Sequence, residues 1–354
     1  MLHFESDYME GCCPEILRRL KTINFEKHEG YGEDAVCRAA KDRIRAACDL
    51  SPDAGVWFLM GGTQSNAVVI DALLRPWEGV IAAETGHIAQ HEAGAVEHGG
   101  HKVLTIPGVE GRLDAAALRL YMERFTADAA RDHLVQPGMV YISHPTEYGT
   151  LYGFNELCAL RAVCDDYGLK LYLDGARLGY GLAARGAELT LPDLARLTDA
   201  FTIGGTKVGA LFGEAVVARN PETLGSFFPL MKQHGAVLAK GWLLGVQFDE
   251  LFTDGLYMQG ARRAVEAASL LRRGLAERGV PLYVDAPTNQ VFPVFDDAAL
   301  ERLGKKIGYT LWEKLDGSRS VVRLATSWAT REAEVELLLD AVDEALKYSS
   351  SENR

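Results

Sequence analysis

The strongest constraint on the fold is a series of short, uniformly apolar runs that alternate with helix-patterned segments between about residues 50 and 220. Strands that are apolar along their whole length are typical of a sheet covered on both faces. Alternation of strand and helix predicts an α/β fold with a doubly wound, mostly parallel sheet. The predicted strands are 56–60, 80–83, 103–106, 139–143, 169–173 and 201–203.

The chain changes character after residue 220. Segment 222–278 is mainly helix-patterned, and two strand-like runs at 290–295 and 321–326 precede a final helix predicted at 331–348. These elements predict a small C-terminal α+β domain beside the larger one. The expected domains are an irregular N-terminal segment at 1–30, a large domain at 31–250 and a small domain at 251–354.

Composition narrows the class of partner. The formal net charge is −12, and acidic residues are spread along the whole chain. Nucleic acid and anionic membranes both demand basic clusters, so neither is an expected partner. No run approaches the roughly 18 apolar residues of a spanning helix, and the first residues do not have the pattern of a signal peptide. The six cysteines form no CxxC pair, and reduced thiols in a cytoplasmic protein are expected.

The first chemical motif is a glycine-containing turn between a strand and a helix. The apolar run before Gly61 leads into Gly62 and Thr63, and a helix pattern follows from about Ser65. Such a turn lets backbone N–H groups at a helix N-terminus bind a phosphate. It matches neither GxxxxGK[ST] nor GxGxxG, so by itself it is equally consistent with a simple strand-to-helix turn.

An aspartate and a lysine each follow a predicted strand. Asp174 lies at a carboxyl end, where open α/β sheets bind ligands, although it could equally cap a helix. A carboxylate there suits a pyridine nitrogen, which it keeps protonated. Lys207 lies among glycines in nearly uncharged sequence, whereas most lysines are solvated surface groups. A desolvated lysine has a depressed pKa and becomes a nucleophile that can form a Schiff base.

The order of these motifs resembles the pyridoxal-5′-phosphate (PLP) enzymes of the aspartate-aminotransferase-like fold, known as fold type I. More closely, the chain resembles the threonine aldolase and β-eliminating lyase family. The similarity runs along nearly the whole chain. The matching pieces are SD at 6–7, GYGED at 30–34, GGTQSN at 61–66, GHIAQHEAGA at 86–95, TEYGTLYG at 146–153, LYLDGARL at 171–178, GGTK at 204–207 and RLATSW at 323–328.

The resemblance implies roles for particular residues. Lys207 would be the Schiff-base lysine and Asp174 the partner of the pyridine nitrogen. His87 would stack on the cofactor ring and touch the substrate hydroxyl, and His133 falls near a second active-site histidine of the family. The residues implied in cofactor binding are Gly62, Thr63, His87, Asp174, Arg177, Thr206, Lys207 and Lys232. Those implied in substrate binding are Ser6, Tyr31, Arg177 and Arg323.

Some of these roles depend on more than one chain or depart from the family pattern. Tyr31 and Lys232 would reach a neighbouring subunit's site, which implies a homodimer or homotetramer. The family's SDTVT is SDYME here, and the register around His133 differs by one residue. The structural alternatives are an interdomain salt bridge for Arg323 and a turn or N-cap for Ser6.

The histidine cluster at 87–101 invites a metal interpretation, which the sequence does not favour. His91-Glu92 is followed by Ala95 where HExxH requires its second histidine. We therefore expect no metal, and plain surface or core roles for the histidines other than His87.

The predicted reaction is retro-aldol cleavage of an L-β-hydroxy-α-amino acid to glycine and an aldehyde. L-Threonine and L-allo-threonine are the first candidates, and phenylserine-like substrates remain possible. Three alternatives stay open from the sequence. A β-eliminating lyase would act on serine- or cysteine-like amino acids, an aminotransferase or racemase would use the same cofactor, and a PLP-binding protein without catalysis would keep the fold alone.

Overall fold

The computed structural model describes residues 1–347. The strands are β1 (Leu2–His3), β2 (Gly55–Leu59), β3 (Glu78–Ala83), β4 (Val103–Ile106), β5 (Gln136–Ser143), β6 (Lys170–Asp174), β7 (Ala200–Gly204), β8 (Glu214–Ala218), β9 (Gln290–Val291), β10 (Val294–Asp296), β11 (Ile307–Gly308), β12 (Thr310–Lys314) and β13 (Arg319–Ala325). The helices are α1 (Pro14–Ile23), α2 (Ala35–Ala47), α3 (Gly62–Leu73), α4 (His87–Gln90), α5 (Ala95–His98), α6 (Ala115–Ala127), α7 (Phe154–Tyr167), α8 (Leu178–Ala183), α9 (Leu191–Leu197), α10 (Phe227–Gln233), α11 (Trp242–Leu251), α12 (Leu256–Glu277), α13 (Asp297–Leu303) and α14 (Glu332–Lys347).

Seven strands form the main sheet in the order β2-β8-β7-β6-β5-β3-β4. The pairs from β7 to β4 are parallel, and β8 runs antiparallel between β2 and β7. The α/β prediction with a mostly parallel sheet is therefore confirmed. The sequence interpretation missed β8, because this five-residue run follows the lysine loop directly, with no helix between them.

Both faces of the sheet are buried, as the uniformly apolar strands predict. Leu171 and Leu173 of β6 pack into one hydrophobic core, and Tyr172 between them packs into the other. This alternation follows from the two-residue period of a strand. Helix α7 ends at Gly168, whose φ of 68° is left-handed and accommodates glycine without strain. The sheet is therefore a rigid layer whose carboxyl edge can hold a site.

The C-terminal part forms a smaller unit with its own core. Strands β10, β13 and β12 are antiparallel neighbours, and β9 pairs with the other end of β13. Leu271 and Leu275 of α12 pack there against Val335 and Leu338 of α14. The predicted α+β character is thus present, while the end of the predicted final helix and of the predicted domain, 348–354, lies outside the described residues.

The N-terminal segment joins the two units. Its strand β1 pairs in parallel with β11 of the small unit. Asp7, a few residues later, is buried against Arg177, which directly follows β6 of the large sheet. The predicted segment 1–30 is therefore tied to both sides of the cleft, but the prediction that it is irregular is wrong for α1, a ten-residue helix within it. Within residues 1–347, no helix has the length and apolarity required to cross a membrane.

Candidate active site

A cavity of about 600 Å³ opens between the carboxyl edge of the main sheet and strands β12 and β13 of the small unit. Ligand sites of open α/β sheets lie at this edge. The residues that line it are Tyr8, Thr85, His87, Gln90, His91, Glu147, Tyr148, Arg177, Lys207, Thr310, Leu311, Trp312, Glu313 and Arg323. Three of the predicted residues, His87, Arg177 and Lys207, also line a narrower space beside Asp174.

Lys207 lies in the loop between β7 and β8. Burial lowers the pKa of its ammonium group, and the nearby Arg177 lowers it further, while Asp7, Glu214 and Asp174 oppose the effect. The loop is held in place by the hydroxyl of Tyr180, which donates to the carbonyl of Lys207. A lysine with a lowered pKa has more of the neutral amine that reacts with an aldehyde.

Asp174 ends β6 and is fixed by three hydrogen bonds. Its Oδ2 accepts from the amide of Asn66 at 2.8 Å and from the hydroxyl of Tyr141 at 2.7 Å. Its Oδ1 accepts from the backbone N–H of Ala176 at 2.9 Å, which is a short turn and not a helix cap. The buried carboxylate is therefore preorganised to face a ring nitrogen above the sheet edge.

His87 begins the short helix α4 and is anchored at two points. Its Nδ1 lies 2.8 Å from Oε1 of Glu92, and its backbone N–H donates to Oε1 of Glu147 at 2.8 Å. Glu147 also accepts from Ser143 at 2.6 Å. These contacts hold the imidazole ring over the cavity, as a ring-stacking role requires. Burial raises the pKa of the Glu147 carboxyl group.

His87, Glu92 and Asp174 have ligand atoms within 4.8 Å of one another, a spacing that could hold a metal ion. The amide nitrogen of Asn66, however, donates to Glu92 and to Asp174 at 2.8 Å each. Its two hydrogens point at the two carboxylates and would repel a cation placed between them. The geometry therefore favours a hydrogen-bond network over a metal site.

The first turn of α3, where the sequence predicted a phosphate-binding turn, has backbone N–H groups that are unpaired within residues 1–347. The helix begins at Gly62, and in the described chain the N–H groups of Gly62, Thr63 and Gln64 donate to no protein acceptor. Free N–H groups and the helix dipole favour an anion. Thr206 lies nearby in the lysine loop, but its hydroxyl donates to Oε1 of Glu214 at 3.0 Å.

Glu214 is a buried residue that sequence reasoning missed. It begins β8, where it pairs with Leu59 of β2 and with Gly204 of β7. Its Oε2 has no hydrogen-bond partner among the described residues. Burial raises the pKa of Glu214 to about 8, although Lys207 opposes the shift. Its position beneath the lysine loop could have been predicted only if the sequence interpretation had recognised β8 as a strand.

Arg323 on β13 is an unpaired cation that faces the cavity. No carboxylate lies within 4.0 Å of it in the described part of the chain, so the salt-bridge alternative is wrong there. Its NH2 donates to the carbonyl of Glu5 at 3.0 Å, its Nε has no partner, and its guanidinium lies 5.6 Å from the ring centre of Trp312. Such a fork is suited to a ligand carboxylate.

Arg177 is held differently, because Asp7 already engages it. Two nitrogens of its guanidinium donate to the two oxygens of Asp7 at 2.7 and 2.9 Å. Burial raises the pKa of Asp7, but the pairing with Arg177 outweighs it and lowers the pKa to about 2. Arg177 still borders the cavity, so any contact with a ligand adds to this ion pair. The adjacent Ser6 has a buried hydroxyl with no partner among residues 1–347.

Tyr31 and Lys232 lie away from the cavity of their own chain. The Lys232 ammonium is 4.4 Å from the ring centre of Tyr31, and both side chains are exposed. Tyr31 has φ of 63°, which is uncommon for a bulky residue. Their predicted contribution to a neighbouring subunit's site remains a prediction.

The structure does not bring His133 to the site of its own chain. It is exposed in a 3-10 turn, Arg131–His133, just before the first residue of β5. The site lies at the other end of β5, roughly 23 Å away at the usual rise per residue. For a single chain the predicted catalytic role is therefore wrong, and only a neighbouring subunit could use this histidine.

His91 is the histidine that the sequence interpretation underestimated. It borders the cavity, and its ring centre lies 5.6 Å from that of His87. The helical spacing of His87 and His91 could have signalled this proximity. Glu147 and Tyr148, which share the cavity, lie in the family-like piece at 146–153 but were given no role, and Trp312 carried no signal in a single sequence.

Comparison with known proteins agrees with this geometry. The sequence profile of the beta-eliminating lyase family matches residues 3–317. A low specificity L-threonine aldolase of Pseudomonas sp. (strain NCIMB 10558) is 32% identical over 338 residues, which cover 94% of each chain. A low specificity L-threonine aldolase of Pseudomonas aeruginosa is 31% identical over 304 residues, which cover 85% of this chain and 86% of that relative.

Solved structures extend the comparison. Leishmania major threonine aldolase superposes with a TM-score of 0.93 at 40% identity, over 97% of this chain and 99% of that one. A mutant of Thermus thermophilus aspartate aminotransferase has a TM-score of 0.70 at 15% identity, over 97% and 96%, and shares the fold alone. The fold and the site thus define a PLP-dependent lyase of the aspartate-aminotransferase-like class. The chain belongs to the beta-eliminating lyase family.

The residues present fit the cofactor. A buried carboxylate at Asp174, a lysine with a lowered pKa at Lys207 and free N–H groups at the start of α3 are the three partners that a pyridine nitrogen, an aldehyde and a phosphate require. His87 stands above the same space. The cofactor-binding roles implied for Gly62, Thr63, His87, Asp174 and Lys207 are compatible with this arrangement and remain predictions.

Proposed function

We propose that this protein is an aldehyde-lyase that cleaves L-threonine, L-allo-threonine or a related L-β-hydroxy-α-amino acid into glycine and an aldehyde. The observation that carries the proposal is the unpaired Arg323 facing a cavity that also contains Lys207 and His87. A free amino acid presents a carboxylate to such an arginine and an amine to the lysine region. The relatives named L-threonine aldolase support the same substrate class.

The residues divide the chemical work. When bound, the cofactor supplies an electron-withdrawing ring that stabilises negative charge on Cα. Asp174 keeps the ring nitrogen protonated, and Asn66 and Tyr141 hold Asp174 in position. Arg323 fixes the substrate carboxylate, which decides which bond of Cα is cleaved. Lys207 accepts or returns protons as the amino acid is released.

We also propose a cytoplasmic homo-oligomer with shared sites. Five of the six free thiols are buried and the sixth is partly buried, as suits a reducing compartment. Tyr31 and Lys232 form an exposed pair that is available to a neighbouring subunit, and Phe228 and Met60 are large apolar residues exposed on the chain. A second copy of the chain would bury these groups, and Tyr31 and Lys232 of the first chain would then lie near the active site of the second.

Product analysis tests the proposed reaction. The PLP-loaded protein is mixed separately with L-threonine, L-allo-threonine and L-serine, and glycine, aldehyde, 2-oxo acid and ammonia are quantified. We expect glycine and acetaldehyde from at least one threonine isomer. Pyruvate or 2-oxobutyrate with ammonia, and no glycine, would overturn the aldolase proposal in favour of β-elimination.

A further inference from the structure

The groups that fit the carboxylate and the cofactor restrict where the substrate's side chain can lie. Arg323 would hold the carboxylate, and the cofactor would be held beside His87. His91, Tyr148 and Trp312 contribute to the rest of the cavity wall, together with Tyr8, Thr85, Gln90, Glu147, Thr310, Leu311 and Glu313. The ring centre of His91 lies 5.6 Å from that of His87 and 6.2 Å from that of Trp312. Because Trp312 packs against the guanidinium of Arg323, His91 lies between the His87 and Arg323 sides of the cavity. A substrate whose carboxylate is held at Arg323 would therefore have His91 within the part of the cavity open to its β-hydroxyl group.

The imidazole of His91 is available for proton transfer. Neither of its ring nitrogens has a hydrogen-bond partner within residues 1–347. Its backbone is fixed, because the N–H of His91 donates to the carbonyl of His87 at 2.8 Å at the end of α4, while the side chain is exposed to the cavity. Two other groups near the cavity are engaged in part: Nδ1 of His87 by Glu92, and Oε1 of Glu147 by Ser143 and by the backbone of His87, whereas Oε2 of Glu147 is buried without a partner among the described residues.

The charges around His91 favour its neutral form. Burial lowers the pKa of the imidazole, and electrostatic interactions with His87, Arg323 and Arg177 lower it further, while Glu92 opposes them. These groups come from α4, from β13 and from the segment after β6. The other titratable groups around the same cavity are Tyr8, Glu147, Tyr148, Lys207 and Glu313. A neutral imidazole at neutral pH has a lone pair with which to accept a proton.

We propose that His91 is a catalytic residue that accepts the proton of the substrate's β-hydroxyl group, an inference that rests on the proposed aldol cleavage. The O–H bond breaks and its proton forms a bond with an imidazole nitrogen of His91. The electron pair left on oxygen becomes the second bond of the aldehyde carbonyl, and the pair of the Cα–Cβ bond remains on the Cα of glycine. No oxidant or second substrate is needed.

The test compares His91→Phe with His98→Phe in the PLP-loaded enzyme. Phenylalanine keeps a ring at position 91 and removes both nitrogens, and the exposed His98 at the end of α5 is a matched histidine outside the cavity. His91→Asn is a second, smaller variant. The assays are threonine cleavage as a function of pH, glycine Cα-proton exchange in D₂O, which involves no β-hydroxyl, and glycine affinity by absorbance titration.

We expect His91→Phe to lower kcat for cleavage by about 100-fold or more, as loss of a general base does. Its glycine exchange and glycine affinity should stay within about twofold, while His98→Phe resembles wild type in every assay. In wild type, the rate of cleavage should fall as the pH decreases through the lowered pKa of His91. This acidic limb of the pH profile should be absent from His91→Phe. Histidine NMR should place the His91 midpoint below the ordinary 6.5.

Three results would overturn the inference. One is wild-type cleavage by His91→Phe, another is an unchanged acidic limb in that variant, and the third is an equal loss of glycine exchange and cleavage, which would indicate a structural role. Failure of the proposed function has a different signature. In that case wild type exchanges the Cα proton of glycine but forms no aldehyde from any β-hydroxy-α-amino acid.

Discussion

The residues of this site differ in which of their polar groups already have partners within the chain and which are available to a ligand. Asp174 is held by Asn66 and Tyr141, so its position does not depend on a ligand. Lys207 is an amine whose pKa is lowered by burial and by Arg177. Arg323 has no carboxylate partner in the described chain, so its charge is available to a substrate. Lys207 and Arg323 therefore have separable roles, which substitutions can test one at a time.

Lys207→Ala should abolish turnover and remove the absorbance of the lysine-bound cofactor, because no other lysine borders the described cavity. The measurement is a visible spectrum together with threonine cleavage. Lys170→Ala is the control, since Lys170 is a partly exposed lysine paired with Asp199. Normal turnover by Lys207→Ala would remove this residue from the mechanism.

Arg323→Ala should mainly raise KM for the amino acid, by about 10- to 100-fold, which is the usual worth of one or two charge-assisted hydrogen bonds. Arg323→Lys should recover only part of the loss, because an ammonium group lacks the planar fork. Initial-rate kinetics check both variants. An unchanged KM in Arg323→Ala would place the carboxylate elsewhere in the cavity.

The sequence predicted the residues whose neighbours along the chain carry the signal. Lys207, Asp174 and the start of α3 each follow an apolar strand, so their location at one sheet edge follows from the fold. The spacing of His87 and His91 could have indicated that these two lie together, but not that Glu147 and Trp312 join them, because three separate segments meet there. For His133 the resemblance implied a role, whereas the structure places this residue before the first residue of β5, at the end of the strand away from the cavity.

Among the elements, the N-terminal segment has the most direct influence on the site. Its β1 pairs with β11, and its Asp7 forms a buried ion pair with Arg177 and accepts from Asn289 at 2.9 Å. The sequence predicted an irregular region here and missed both α1, whose apolar residues Ile16 and Ile23 are buried, and these contacts, which join residues far apart along the chain. β8 was missed for a related reason, because it reaches its place without a crossover helix.

Asp7→Asn should destabilise the fold by about 3 kcal/mol at neutral pH, because it leaves the charge of Arg177 buried without its partner. The pKa of Asp7 is lowered to about 2, so the stabilisation is present above the ordinary value of 3.8 and is lost as the pH falls toward 2. Urea unfolding between pH 7 and 2 should show the gap to wild type closing.

The exposed Asp53 provides the matched control for that experiment. Asp53→Asn should leave the free energy of unfolding within about 0.5 kcal/mol of wild type. A constant difference between Asp7→Asn and wild type across the whole pH range would show that the ion pair is not the source of the stabilisation.

For the whole molecule, we proposed an active site that is shared between two subunits. Such a site predicts that two inactive or weakened variants regain activity when their subunits are mixed. Lys207→Ala and Tyr31→Ala are each expected to lose activity as pure oligomers. In a mixed dimer, one site would combine Lys207 of one chain with Tyr31 of the other. Random mixing should therefore restore about a quarter of wild-type activity, since half of the dimers are hybrids with one intact site.

Subunit exchange followed by an activity assay checks this prediction, with sedimentation analysis to establish the oligomeric state. Mixing Lys207→Ala with Asp174→Ala is the control, because both residues belong to the same chain's site and the hybrid gains no intact one. Absence of recovery in the first mixture, despite hybrid formation, would contradict the sharing of sites through Tyr31.

The architecture could be predicted because it follows from local periodicity: apolar strands, helices between them and a change of pattern after residue 220. The geometry of the cleft could not, since it depends on how the small unit places β12 and β13 against the sheet edge. Strand β12, which carries Trp312, was not among the predicted strands, because its residues are only half-buried or exposed and its apolar pattern is weak.

The central claim is that this site cleaves a carbon–carbon bond, and proton NMR of L-threonine with the PLP-loaded enzyme tests it most directly. We expect one glycine for each threonine consumed, together with acetaldehyde, and no reaction with Lys207→Ala. Formation of 2-oxobutyrate and ammonia without glycine would contradict it, and would assign the same lysine and arginine to an elimination reaction instead.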